Sequence, residues 1–251
     1  MSGKYRSNFL KNVTVRLDFT KNLYQVSSGL PASLQAKAQE LLPHMQRKGA
    51  LAEEMMVKCA GEVQRRHVKE NHWFFTGGRG DKTLCIAPNF MWLDCKSYSD
   101  YQDLRDTVVP LMDALFDAFP DVPDLAVNRF GLRYFNSIDL TGSAPADWTG
   151  YLDPALLPIF SVADDKAAIA RAFHNLEMNY GDMYLTFLYG MYNFEYPAPI
   201  RQKTFTLDFD AYIAKIQQRG ELPASLDALH EKIAGYFERS ITDRLRDVMG
   251  R

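Results

Sequence analysis

At 251 residues and a formal net charge of -2, the chain is long enough to bury a core of its own and carries no global basic field to draw it onto nucleic acid or anionic lipid. Hydrophobic residues at 47% and charged residues at 24% match an ordinary globular protein, which excludes a largely disordered or fibrous chain. Cys59, Cys85 and Cys95 are an odd set without CxxC spacing, so neither a disulfide framework nor a zinc ribbon is indicated and a reducing cytoplasm is the expected location.

The first predicted element is a strand over 13–19, where Val13, Val15, Leu17 and Phe19 alternate with Thr14, Arg16 and Asp18. Ser33 then reads as the cap of a helix reaching about Met45, with Pro43 ending or bending it, and 48–61 has no decisive pattern. A meander follows, with strands at 62–69, 72–76, 83–87 and 90–95. Its turn, Gly77-Gly78-Arg79-Gly80-Asp81, lacks the GK[ST] of a phosphate loop and leads into a strand, so a hairpin turn explains it. Asp100 caps a predicted helix to about Phe119, whose apolar members from Leu104 to Phe116 recur at helical spacing, with a kink expected at Pro110.

In the second half, 128–138 forms a strand with Arg129 and Arg133 on one face and Phe130, Leu132 and Tyr134 on the other. After a loop around Thr141–Pro145, a short helix is expected at 147–157, then strands at 168–180, 183–192 and 203–209. The strand at 183–192 is apolar on both faces, which suits cover on both sides by helices or by a second copy of the chain. One closing amphipathic helix is predicted over 225–249, its stripe running from Leu226 to Val248.

The two halves repeat one order of strand, helix, several strands and long helix. The expected fold is therefore α+β: two related halves, 1–122 and 123–251, each a curved, mainly antiparallel sheet backed by a long helix, packed as one unit. The ordered set Asn8-Phe9-Leu10, Trp73-Phe74-Phe75, Phe90-Met91-Trp92-Leu93, Tyr98 and Tyr101, Arg129 through Asn136, Trp148 with Tyr151-Leu152, and Leu229-His230 with Phe237-Glu238 resembles the TIGR04255 family of sporadically distributed bacterial proteins. The likeness spans nearly the whole chain. It implies a bacterial protein of conserved length, and no reaction, cofactor or active-site residue comes with it.

Candidate chemistry centres on arginine. Arg129 and Arg133 share a strand face with Gly131 between them, where a missing side chain leaves room for a ligand or another backbone. Arginine's planar fork binds phosphate or carboxylate at two points; the competing reading pairs both with Asp18, Asp94 or Glu177 on neighbouring strands. Arg16 and His67, the latter flanked by Arg65 and Lys69, join the candidate set if the sheet curls around one hollow, with His67 as acid or base. Carboxylates look too few for metal-assisted phosphoryl transfer, the histidines lack zinc spacing, and His230 reads as a capping or core-edge residue, so no metal and no cofactor are expected. The aromatic strands lack interleaved lysines and arginines, which argues against nucleic acid. No apolar leader follows Met1 and no apolar run could span a bilayer, so no membrane partner is expected. The expectation is a non-enzymatic binding or interaction protein with an arginine-bearing cleft for an anionic small molecule or protein segment, with an enzyme acting on a phosphorylated or nucleotide-like substrate as the alternative.

Overall fold

The computed structural model describes residues 5–57, 63–142 and 144–250, the side chains of 52–57 and 63–66 excepted. Among the described residues nine strands form one sheet: β1 (Leu10–Phe19), β2 (His44–Val57), β3 (Val63–Thr76), β4 (Lys82–Ile86), β5 (Phe90–Cys95), β6 (Val127–Leu140), β7 (Ala172–Tyr180), β8 (Met183–Met191) and β9 (Lys203–Ile213). Every neighbouring pair is antiparallel, in the order β2-β3-β4-β5-β1-β6-β9-β8-β7. The fold is α+β, with helices α1 (Ala32–Leu41), α2 (Tyr101–Asp117), α3 (Leu222–Ser240) and α4 (Asp243–Val248). None of the described helices is long and apolar enough to cross a membrane.

Alternation divides the sheet into two faces. Val13, Val15 and Leu17 of β1, Phe130 and Leu132 of β6, and Phe209 of β9 join one apolar core with Leu34 of α1, Leu104, Val108 and Leu111 of α2, Leu226, Leu229 and Ile233 of α3, and Leu245 of α4. The helices therefore cover a single face, and the residues between these strand positions point the other way. β8 follows the same division: Leu185 and Phe187 are buried in the core, whereas Tyr184, Thr186 and Leu188 lie half-buried on the helix-free face. Helices thus cover one side of this apolar strand.

Several boundaries differ from the sequence expectations. The first helix starts after Pro31, so Ser33 lies inside it and caps nothing, and it ends at Leu41, two residues before Pro43. The undecided stretch becomes β2, whose pairing with β3 sets His44 opposite Thr76 and Val57 opposite Val63; Cys59 and Glu62 lie outside the described residues. The expected break between 69 and 72 does not occur, because β2 pairs along β3 without interruption. Asp100 does cap α2, accepting the Asp103 amide at 3.0 Å. Residues 147–157 form no α-helix: Asp153 caps a single 3-10 turn over Pro154–Leu156, and Pro158 opens the next. The closing helix is two, since Ile241 takes extended backbone angles and pairs with Leu152, while the Thr242 amide donates to the Tyr151 carbonyl at 3.1 Å.

Candidate functional site

The helix-free face holds the arginines. Cross-strand register sets Thr14 opposite Arg133, Arg16 opposite Gly131 and Asp18 opposite Arg129, so Arg16, Arg129 and Arg133 come from two adjacent central strands and share one face. β9 flanks them on the other side, with Tyr212 opposite Gly131, Asp210 opposite Arg133 and Asp208 opposite Phe135.

Each arginine meets carboxylates differently. Arg16 donates to Asp18 through Nε at 2.9 Å and Nη2 at 2.7 Å, with its guanidinium 4.5 Å from the Phe90 ring centroid. Arg133 slants past its register partner to the diagonal Asp208, donating through Nε at 2.8 Å and Nη2 at 2.6 Å. That hydrogen bonding raises the Arg133 pKa, and the Asp208 side chain is only 7% exposed against 51% for Arg133. Arg129 is held more loosely. It lies 3.8 Å from Asp18 and 3.7 Å from Asp210, and 4.4 Å above the Tyr212 ring, yet its guanidinium makes no hydrogen bond to a described residue.

Gly131 explains how Arg129 fits. A Cβ at 131 would lie 3.3 Å from Arg129 Nη1 and 3.5 Å from the Tyr212 Cβ, so the space left by glycine is occupied by the guanidinium itself. Burial raises the pKa of the Asp210 carboxyl more than Arg129 and Arg133 lower it. Beside Arg133 lies a shallow hollow of about 260 Å³ lined by Asn12, Thr14 and Phe135. Asp94 is engaged by Asn12 at 2.7 Å and Thr14 at 2.8 Å, and Glu177 by Asn175, so of the three carboxylates expected to pair with Arg129 and Arg133, Asp18 does so.

His67 does not belong to this group. β4 pairs with β3 only over Trp73–Thr76, and Phe74 lies in line with Cys85, Trp92 and Arg16 across the sheet. His67 is seven residues further along β3, roughly 23 Å at the rise of a strand, and an odd separation turns it to the opposite face. It is exposed, opposite Glu53 on the β2–β3 extension, so it cannot act on a group held by the arginines. Asp210 and Tyr212 lie beyond the strand end that the sequence suggests at Phe209, and Asp208, inside that strand, is set beside Arg133 only by the pairing of β6 with β9. The alternation Thr204, Thr206, Asp208, Asp210, Tyr212 was the available signal. Among the described residues, no three histidine, cysteine or acidic side chains are grouped to hold a metal ion.

A second constellation lies on the helix side. Tyr134, next to Arg133 but pointing the other way, hydrogen-bonds His230 Nδ1 of α3 at 2.9 Å and the Tyr98 hydroxyl at 3.2 Å. Tyr101 stacks on His230 with centroids 3.8 Å apart and planes 3° from parallel, and donates to Asp227 at 2.5 Å. Burial lowers the His230 pKa from 6.5 to about 4, so its ring is neutral at physiological pH, and burial pushes the Tyr98 phenol up to about 12. His230 thus sits in the middle of α3, half-buried beside the fully buried Leu229, so of the two expected roles it takes the one at the core edge and caps nothing.

No protein-family model and no curated protein sequence matches the chain.

Proposed function

We propose that the chain is a cytoplasmic binding protein whose helix-free sheet face receives an anionic group, a carboxylate or phosphate presented by a small molecule or by a protein segment. The observation that carries this reading is Arg129: a planar cation stacked on Tyr212, one-third exposed, with hydrogen-bond donors no described residue uses. Arg16 and Arg133 flank it as cations already oriented by Asp18 and Asp208. An incoming anion competes with Asp18 and Asp210 for Arg129, and because burial raises the Asp210 pKa, acidification weakens that competitor. Affinity for an anion that keeps its charge therefore strengthens as pH falls.

The alternative, an enzyme acting on a phosphorylated or nucleotide-like substrate, draws on the same arginines, with Asp210 and not His67 as the proton-transfer group within reach. Membership in the bacterial family that the aromatic and arginine spacing resembles belongs to the same proposal. So does derivation from two related halves, 1–122 and 123–251. Outward from the central β1–β6 pair the strands run β5-β4-β3-β2 on one side and β9-β8-β7 on the other, and β5 and β9 each precede a long helix, so the duplication is supported with β2 as an extra strand of the first half.

The test is a thermal-shift and calorimetric screen of nucleotides, inorganic phosphate and an acidic peptide. A ligand at about 100 times its dissociation constant adds roughly 2.7 kcal/mol of stability. Binding is expected to vanish in Arg129→Ala and persist in His67→Ala. Binding that survives Arg129→Ala, or an absence of anion binding at pH 5 to 7, overturns the reading.

A further inference from the structure

The Tyr98–Tyr134–His230 relay borders a cleft of about 910 Å³, separated by the thickness of the sheet from the arginine row, and in the size range of small-molecule sites. Five aromatic rings line it: Tyr5, Tyr98, Tyr101, Tyr134 and Phe237. They come from four places in the chain and make edge or tilted contacts, 6.4 Å for Tyr5 with Phe237 and 5.5 Å for Tyr98 with Tyr134. Leu10, Leu41, Ala234 and Met249 supply apolar surface between them.

The charges of the wall are one-sided. Asp100, Asp103 and Asp106 of the first turns of α2 line the cleft, and among the described residues no lysine or arginine does. Lys82 neutralises Asp103 from outside at 2.8 Å, and Asp100 caps the helix. Asp106 is exposed and accepts the neutral amide of Gln102 at 2.7 Å. The titratable base among the described residues of the wall, His230, is uncharged at neutral pH, so it offers no positive charge to an anion. An anionic ligand would meet carboxylates with no cation among the described lining residues to receive it, whereas a neutral one would make no use of them. A positive charge on an apolar body satisfies both features, because ring faces attract cations and a carboxylate rim raises their local concentration.

We propose that this cleft is a binding site for a small organic cation, an amine or quaternary ammonium group carried on an apolar or aromatic body. The aromatic rings receive the body and the cationic head, and Asp106 faces the charge.

Calorimetry on the full chain at pH 7 and low salt, with benzyltrimethylammonium, benzyl alcohol and benzoate as probes of similar shape and different charge, tests this. The ammonium is expected to bind about 10-fold or more tightly than the alcohol, with benzoate weakest. Asp106→Asn, at an exposed position that leaves packing intact, lowers ammonium affinity about 3-fold or more and leaves the alcohol unchanged. Tyr98→Leu weakens the ammonium as well, while Arg129→Ala changes none of the three, which separates this site from the arginine face. Benzoate binding as tightly as the ammonium, no measurable ammonium binding, or ammonium affinity unaltered by both Asp106→Asn and Tyr98→Leu overturns the proposal.

Discussion

The two faces of the sheet are built by alternate residues of the same strands and use them in opposite ways. Along β6, Phe130, Leu132 and Ile138 are fully buried beneath the helices, while Arg129 and Arg133, one position away, lie partly in solvent among aspartates. On the helix side a residue is held by apolar neighbours on all sides, so its identity is set by volume. On the open side it is held by one or two directional contacts, so its identity is set by charge and reach. Stability and recognition are thereby separated across the thickness of one strand.

Substitutions in β6 and α3 can break or sharpen that contrast. Leu132→Ala removes a fully buried side chain and should cost about 3 kcal/mol in denaturant unfolding, the largest effect. Arg133→Ala leaves the nearly buried Asp208 carboxylate without its two donors and should cost about 2 kcal/mol; a loss below about 0.5 kcal/mol would show that water satisfies Asp208 as well as arginine does. Lowering the pH tests the helix side. Between 6.5 and about 4 the unfolded chain takes up a proton that folded His230 refuses, so stability falls as pH drops through that window. Allowing for partial exposure, about 1 to 2 kcal/mol is expected, and His230→Gln should flatten that part of the melting-temperature profile. Gly131→Ala should have the smallest effect on stability, under about 1 kcal/mol, since the new methyl group meets the movable end of Arg129. Its consequence should appear in anion binding, because it pushes the guanidinium off Tyr212.

Strong local alternation made parts of this architecture readable. β1 and β6 alternate with large apolar residues on one side, and α2 announces itself through Asp100 and a heptad-like run of leucines and valines, so all three were legible in outline. The end of β9 was not, because Asp210 looks like a strand terminator until Arg129 of β6 is set beside it, which is a tertiary fact. The apolar stripe of the closing helix continues in phase from Ile233 to Leu245, so periodicity is blind to the break at Ile241, which the Tyr151 carbonyl and the Leu152 pairing impose. The Arg129, Gly131, Arg133 arrangement could be foreseen on one strand; the exclusion of His67 could not, since nothing local tells how far β3 outruns β4. The His230 relay was missed for the same reason, with its partners more than ninety residues away.

The position of β1 has a consequence for biosynthesis. Leu10–Phe19 is made first yet lies between β5 and β6, so one of its edges stays unpaired until Val127–Leu140 has left the ribosome, on the order of ten seconds later at ordinary translation rates. During that interval the nascent chain exposes an apolar strand edge at what will become the centre of the molecule, and a chaperone binding there would delay closure of the whole sheet.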